Sequence, residues 1–197
     1  MENLTGKFLV AAPNMKDPAF EHTVVFIAGH GAEQGSIGMV VNRTAGVSLQ
    51  EVYRQLGIED PIGDNLEQTM IGWGGPVQTT HGYILHSPDA GQKWEVTIYK
   101  GKRIAVTVSP DIVFACARGE GPQDFEIVLG CAAWVPGQLE EELDKQAWLV
   151  APADPRVIFS LPVEDRYDAA MALVGLDDTK TAEACGAFAN LTQAGHA

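Results

Sequence analysis

The chain has 197 residues, with 13 lysines and arginines against 26 aspartates and glutamates and a formal net charge of −13. That balance argues against direct nucleic-acid binding, which needs a clustered excess of Lys and Arg to displace phosphate counterions. At 46% hydrophobic and 20% charged residues the chain is not a disordered acidic tail either, and its length suffices for one self-supporting core.

The N-terminal part reads as strands, at residues 8–12, 23–28 and 35–41, with Pro13, Asp17-Pro18 and the 29–35 segment as punctuation. Their apolarity is continuous rather than alternating, so the sheet is expected to be covered on both faces by helices. Residues 48–56 form the first helix. Ser48 and Glu51 make a capping box, Leu49, Val52 and Leu56 recur on one face, and Gly57 stops it. Residues 61–67 read as a loop, Gly74-Gly75-Pro76 as a sharp breaker and residues 82–86 as a strand. Residues 94–99 and 103–108 flank Lys100-Gly101-Lys102 as a hairpin.

Ser109 as N-cap and Pro110 in the first helical position start a short helix ending near Gly119. Residues 125–134 are too apolar for a half-exposed strand and read as a central one. Pro136 opens a helix with Leu139, Leu143 and Ala147 on one face and Glu141 four residues before Lys145. Strands are expected at 148–150 and 157–159, and a last helix from Pro162 through Val174. No repeat or composition break marks a second domain. One domain over residues 1–178 is expected, with a loosely held tail over 179–197.

Cys116, Cys131 and Cys185 are an odd count without a C-x-x-C pair, which favours small core residues in a reducing compartment over zinc or disulfides. The apolar run at residues 8–12 is too short for a signal peptide and no stretch is long enough to span a membrane, so a cytoplasmic location is expected.

The search for chemistry meets few standard signatures. Gly72-Trp73-Gly74-Gly75-Pro76-Val77 starts like a dinucleotide fingerprint but has valine in the last glycine position, and proline removes a donor. His81 and His86 would point to opposite faces of one strand, and His22 and His30 would lie roughly 26 Å apart on an extended chain. Neither pair suggests a metal site, and no cofactor is expected. His30 ends an apolar strand and opens a glycine-rich segment, and Asn42-Arg43 ends the next strand. If those strands pair, an imidazole, an amide and a guanidinium come together for a carboxylate or phosphate. Asn42 would equally serve a turn, and Arg43 a surface carboxylate. Gly74 and Gly75 let a backbone approach a ligand or simply turn, and His86 is a further candidate for the same cleft. The run Glu140-Glu141-Glu142 suits the start of a helix and reads as a solvated face. His30 could serve an enzyme as a general base, but no set of nucleophile, base and orienter can be assembled from the sequence, so no enzymatic activity is assigned.

Several of these blocks, taken in order, resemble the YqgE/AlgH family of largely uncharacterised bacterial proteins. They are residues 8–20 (FLVAAPNMKDPAF), 35–43 (GSIGMVVNR), 74–77 (GGPV), 82–86 (GYILH), Gly130, Trp134, 137–140 (GQLE) and 147–149 (AWL). The resemblance implies a single α+β domain in which a mixed, partly barrel-like sheet is flanked by helices. Some members carry Cys-Glu-His where this chain has Ala28-Gly29-His30, so a thiol there is missing here. One member gave the family a transcriptional-regulator label, which the acidic balance supports poorly. Two roles are therefore expected. One is binding of a small anionic ligand in a cleft formed by His30, Asn42, Arg43, Gly74, Gly75 and His86. The other is regulation through protein partners rather than direct DNA binding.

Overall fold

A computed structural model describes residues 3–88 and 91–176 of the chain. The three N-terminal strands form as β1 (Lys7–Ala11), β2 (Val24–Gly31) and β3 (Gly35–Val40). Two strands without a clear apolar pattern follow, one on each side of the 61–67 loop: β4 (Thr44–Ser48) and β5 (Met70–Trp73). Between them lies α1 (Leu49–Gln55), where the Ser48 side chain accepts from the Glu51 N–H as the capping box requires.

The long strand β6 (Val77–His86) is followed by the hairpin β7 (Thr97–Lys100) and β8 (Ala105–Thr107). Next come α2 (Asp111–Ala117), the central β9 (Phe125–Trp134), α3 (Gln138–Asp144) and β10 (Trp148–Pro152). Helix α2 starts one residue later than expected, with Pro110 at the N-cap, because Ser109 Oγ donates to Asp111 Oδ1 and accepts from the Val96 N–H.

The expected strand at 157–159 is instead α4 (Pro155–Phe159). Its N-cap Asp154 accepts from the Arg156 N–H at 2.9 Å and Pro155 sits at the first turn, so a proper helix start overrides the β-branched Val157-Ile158. The last expected helix is shorter and in two pieces, a 3₁₀ turn (Val163–Asp165) and α5 (Arg166–Met171). The tail at 179–197 lies outside the described residues.

The strands make one sheet in the order β10-β1-β2-β3-β9-β6-β8-β7, and a branch adds β5 parallel to β9 and β4 antiparallel to β5. The sheet curls into a half-barrel, bringing Tyr99 of β7 edge-on to Phe26 of β2 at 5.4 Å between ring centres. Alternation explains the continuous apolar runs. Phe8, Val10, Val24 and Phe26 face one core with Val157, Ile158, Ala169 and Leu173 from α4, α5 and the turn beyond α5. Leu9, Ala11, Val25 and Ile27 face another, beneath Leu139 of α3. A third core gathers Leu49 and Tyr53 of α1 with Ile112, Val113 and Cys116 of α2. Both faces of β1 and β2 are thus buried.

Candidate functional site

Arg43 is where the strand ends, the N-terminal loop and the helical cap meet. Its Nη1 donates to the carbonyls of Pro18 at 3.2 Å and Ala19 at 2.8 Å, and its Nη2 to that of Glu21 at 2.7 Å. The guanidinium also lies over the Trp73 ring, 5.5 Å from its centre. These contacts hold residues 18–21 in place, and so set Phe20 against Trp134 and Trp148 at 6.3 and 5.6 Å between ring centres.

Arg43 lines a cleft of about 370 Å³ together with Thr44, Thr69, Gly72, Glu126 and Arg166. At its inner wall Arg166, 7% exposed, donates through Nη1 to both carboxylate oxygens of Glu126, at 2.9 and 2.7 Å, and to the Val41 carbonyl; its Nε donates to Leu161. Burial pushes the Glu126 carboxyl above its ordinary range, and the attraction and hydrogen bonds of Arg166 reduce the shift without cancelling it. Two guanidiniums therefore share this cleft with one carboxyl. Volume and polarity both suit a small ligand.

The other expected site residues are distributed differently. Asn42 is a structural clamp: its Oδ1 accepts from the Val24 N–H and its Nδ2 donates to the His22 carbonyl, each at 2.8 Å. Gly74 and Gly75 are needed for close passage against β9. The Gly74 N–H donates to Leu129, its carbonyl accepts from Val40, and a Cβ on either glycine would fall 2.2 Å from a β9 backbone atom. His86 is buried, with Nε2 3.0 Å from Thr107 Oγ1 and Nδ1 2.9 Å from the Ser87 carbonyl. His30 lines a different hollow from Arg43, beside Ser36. The six residues thus do not line one cleft.

The acidic run on α3 is not a solvated face throughout. Glu142 Oε2 accepts from the indole N–H groups of both Trp134 and Trp148, at 2.9 and 2.8 Å, and its Oε1 from Gln138 Nε2. Glu140 approaches His30, and only Glu141 keeps the expected exposed pairing with Lys145, at 3.6 Å. Cys116 and Cys131 are free and buried, and burial pushes the Cys116 thiol up to about 12. Among the described residues no three His, Cys, Asp or Glu side chains gather as a metal site, and no helix is long and apolar enough to cross a membrane.

Sequence reasoning missed Glu126 and Arg166. A lone charge inside the apolar stretch at 125–134 was the available signal for Glu126. Arg166 lies in a segment rich in charge, where nothing distinguishes a buried arginine from an exposed one.

This curled α+β sheet has counterparts among known proteins. The chain belongs to the AlgH-like family, whose model matches residues 8–179. A UPF0301 protein of Burkholderia vietnamiensis is 40% identical over 177 residues, covering 90% of this chain and 91% of that one. A UPF0301 protein of Paraburkholderia phytofirmans is 41% identical over 175 residues, covering 89% and 90%. The solution structure of the AlgH protein from Pseudomonas aeruginosa is similar at 42% identity and a TM-score of 0.74, over 89% of this chain and 90% of that one. The crystal structure of protein DIP2367 from Corynebacterium diphtheriae, at 21% identity and a TM-score of 0.68 over 87% of each chain, supports the fold alone.

Proposed function

We propose that this protein binds a small anionic ligand, bearing a carboxylate or phosphate, in the cleft between Arg43 and Arg166. The supporting observation is the charge balance of that cleft. Two guanidiniums line it against a single facing carboxyl, Glu126, so the local charge balance is positive within a chain of net charge −13. The carbonyls that Arg43 bonds occupy three of the five N–H donors a guanidinium offers. The remainder serve an added anion. The setting is taken to be cytoplasmic, in keeping with two free, buried thiols.

Thr44 is exposed at the cleft and makes a clean probe, because its side chain carries none of the clamp. In calorimetric titrations with inorganic phosphate and with acetate, Thr44→Glu is expected to weaken binding at least about tenfold through like-charge repulsion while leaving the melting temperature unchanged. Equal affinity for the variant and the natural chain, or no heat with either anion, would remove the support for this reading.

A further inference from the structure

The hollow beside His30 has about 420 Å³, an apolar side of Ile37, Ala133 and Trp134, and a lining that includes glycines 29, 31 and 35. The β2–β3 pairing sets His30 opposite Ser36, with His30 Nδ1 2.9 Å from Ser36 Oγ. On the other side of the ring, Nε2 faces Glu140 Oε1 of α3 at 3.8 Å. The His30 side chain is 7% exposed and that of Glu140 22%, so the carboxylate acts on the ring through largely desolvated space.

At 3.8 Å the approach is electrostatic rather than a hydrogen bond, and a negative charge facing Nε2 favours the tautomer with the ring proton there. Nδ1 is then left with the lone pair that accepts the Ser36 hydroxyl proton. Hydroxyl, imidazole and carboxylate in that sequence are a nucleophile, its base and the group that orients the base. A fourth part lies at the mouth of the hollow. A Cβ on Gly31 would come 2.6 Å from Gln34 Oε1, which places the Gln34 carboxamide over that glycine, and Gln34 lines the same hollow. A side-chain amide of this kind is a suitable donor to a developing oxyanion.

We propose that this hollow is an acyl-transfer site that hydrolyses carboxylic esters with a short apolar acyl chain, with Ser36 as the nucleophile. Ser36 Oγ bonds to the ester carbonyl carbon as its proton passes to His30 Nδ1, and Glu140 stabilises the imidazolium. The carbon–alkoxy bond then breaks and the alcohol leaves with that proton. Water, as co-reactant, attacks the acyl-serine, giving one proton to His30 as the C–Oγ bond breaks, and His30 returns it to Ser36. The products are one carboxylic acid and one alcohol, and the side chains end as they began. The acyl chain lies against Ile37, Ala133 and Trp134. This site is separate from the arginine cleft, and neither proposal depends on the other.

Diisopropyl fluorophosphate, which phosphorylates an activated serine with loss of fluoride, tests the assignment on the full chain. One adduct mapped to Ser36 is expected, together with hydrolysis of p-nitrophenyl butyrate that Ser36→Ala abolishes. His30→Gln is expected to slow labelling by about a hundredfold or more, and Glu140→Gln by about tenfold. No adduct on Ser36, or a His30→Gln variant with unchanged circular dichroism that labels at the natural rate, overturns the proposal. Ser36→Cys gives a second, independent readout. Its alkylation by iodoacetamide should be faster with His30 present than in the double variant with His30→Gln, and equal rates would refute the role of His30 as base.

Discussion

Three main-chain carbonyls of the loop at 18–21 converge on the guanidinium of Arg43, and loss of that side chain would leave them without their donor. Hydrogen bonds to a charged group contribute about 1.5–3 kcal/mol each at most and are not additive here, so Arg43→Ala is expected to cost about 2–3 kcal/mol in urea unfolding. Arg43→Lys should recover less than half, since an ammonium cannot reproduce a planar fork. Asp111 gives a pH signature instead. Burial alone would raise its carboxyl, but hydrogen bonds from Ser109 and from the backbone N–H groups of Glu95, Ile112 and Asp111 itself outweigh that and hold it below its ordinary range. A depressed carboxyl contributes stability that is present above the unfolded value of about 3.9 and is lost as pH falls through the folded value. The urea midpoint of Asp111→Asn should therefore lie below that of the natural chain at pH 7, and the gap should close on acidification below about pH 4. Glu126 has the opposite sign. Its raised carboxyl contributes stability below about 4.3 that declines as pH rises through the folded value.

At the scale of elements, the crossing of β6 and β9 depends on Gly130, whose φ is +78° and whose added Cβ would lie 2.4 Å from the Gly75 carbonyl oxygen. Gly130→Ala is expected to destabilise by at least about 1–2 kcal/mol from the left-handed backbone alone, with the clash adding to it, as a lowered urea midpoint will show. The elements most legible in the sequence were those whose pattern had one physical cause. Strands β1 to β3 were continuous apolar runs because both of their faces are buried, and α1 declared itself through Ser48 and Glu51. Strands β4 and β5 escape the pattern because glycines and exposed Met70 interrupt them, and β5 takes its place from distant β9 while β4 pairs only with β5. The misread segment at 157–159 shows composition competing with a cap. Asp154-Pro155 was the better signal, since a buried helix of five residues can be as β-branched as a strand.

Across the whole molecule, the fold was legible from the ordered family blocks, whereas the site was legible only in part. Of the residues singled out, Arg43 alone lines the arginine cleft. Asn42, Gly74 and Gly75 serve the backbone, which follows from geometry that chain order does not carry: a strand end and a glycine pair 32 residues later meet the same sheet. Helix position alone places Glu140 on a solvated face, yet its carboxylate faces His30 on β2, 110 residues earlier in the chain. The acidic surface and the positive cleft coexist because the net charge is an average over the molecule, while a ligand responds to the few groups around it. Amide chemical shifts of the full chain titrated with inorganic phosphate at neutral pH test this most directly. Saturating shifts are expected at Thr44, Thr69 and Gly72, which line the cleft, and these should vanish in Thr44→Glu. Shifts confined to Gly29, Gly31 and Gly35, or small changes spread evenly over the surface, would contradict the assignment of the anion site to the arginine cleft.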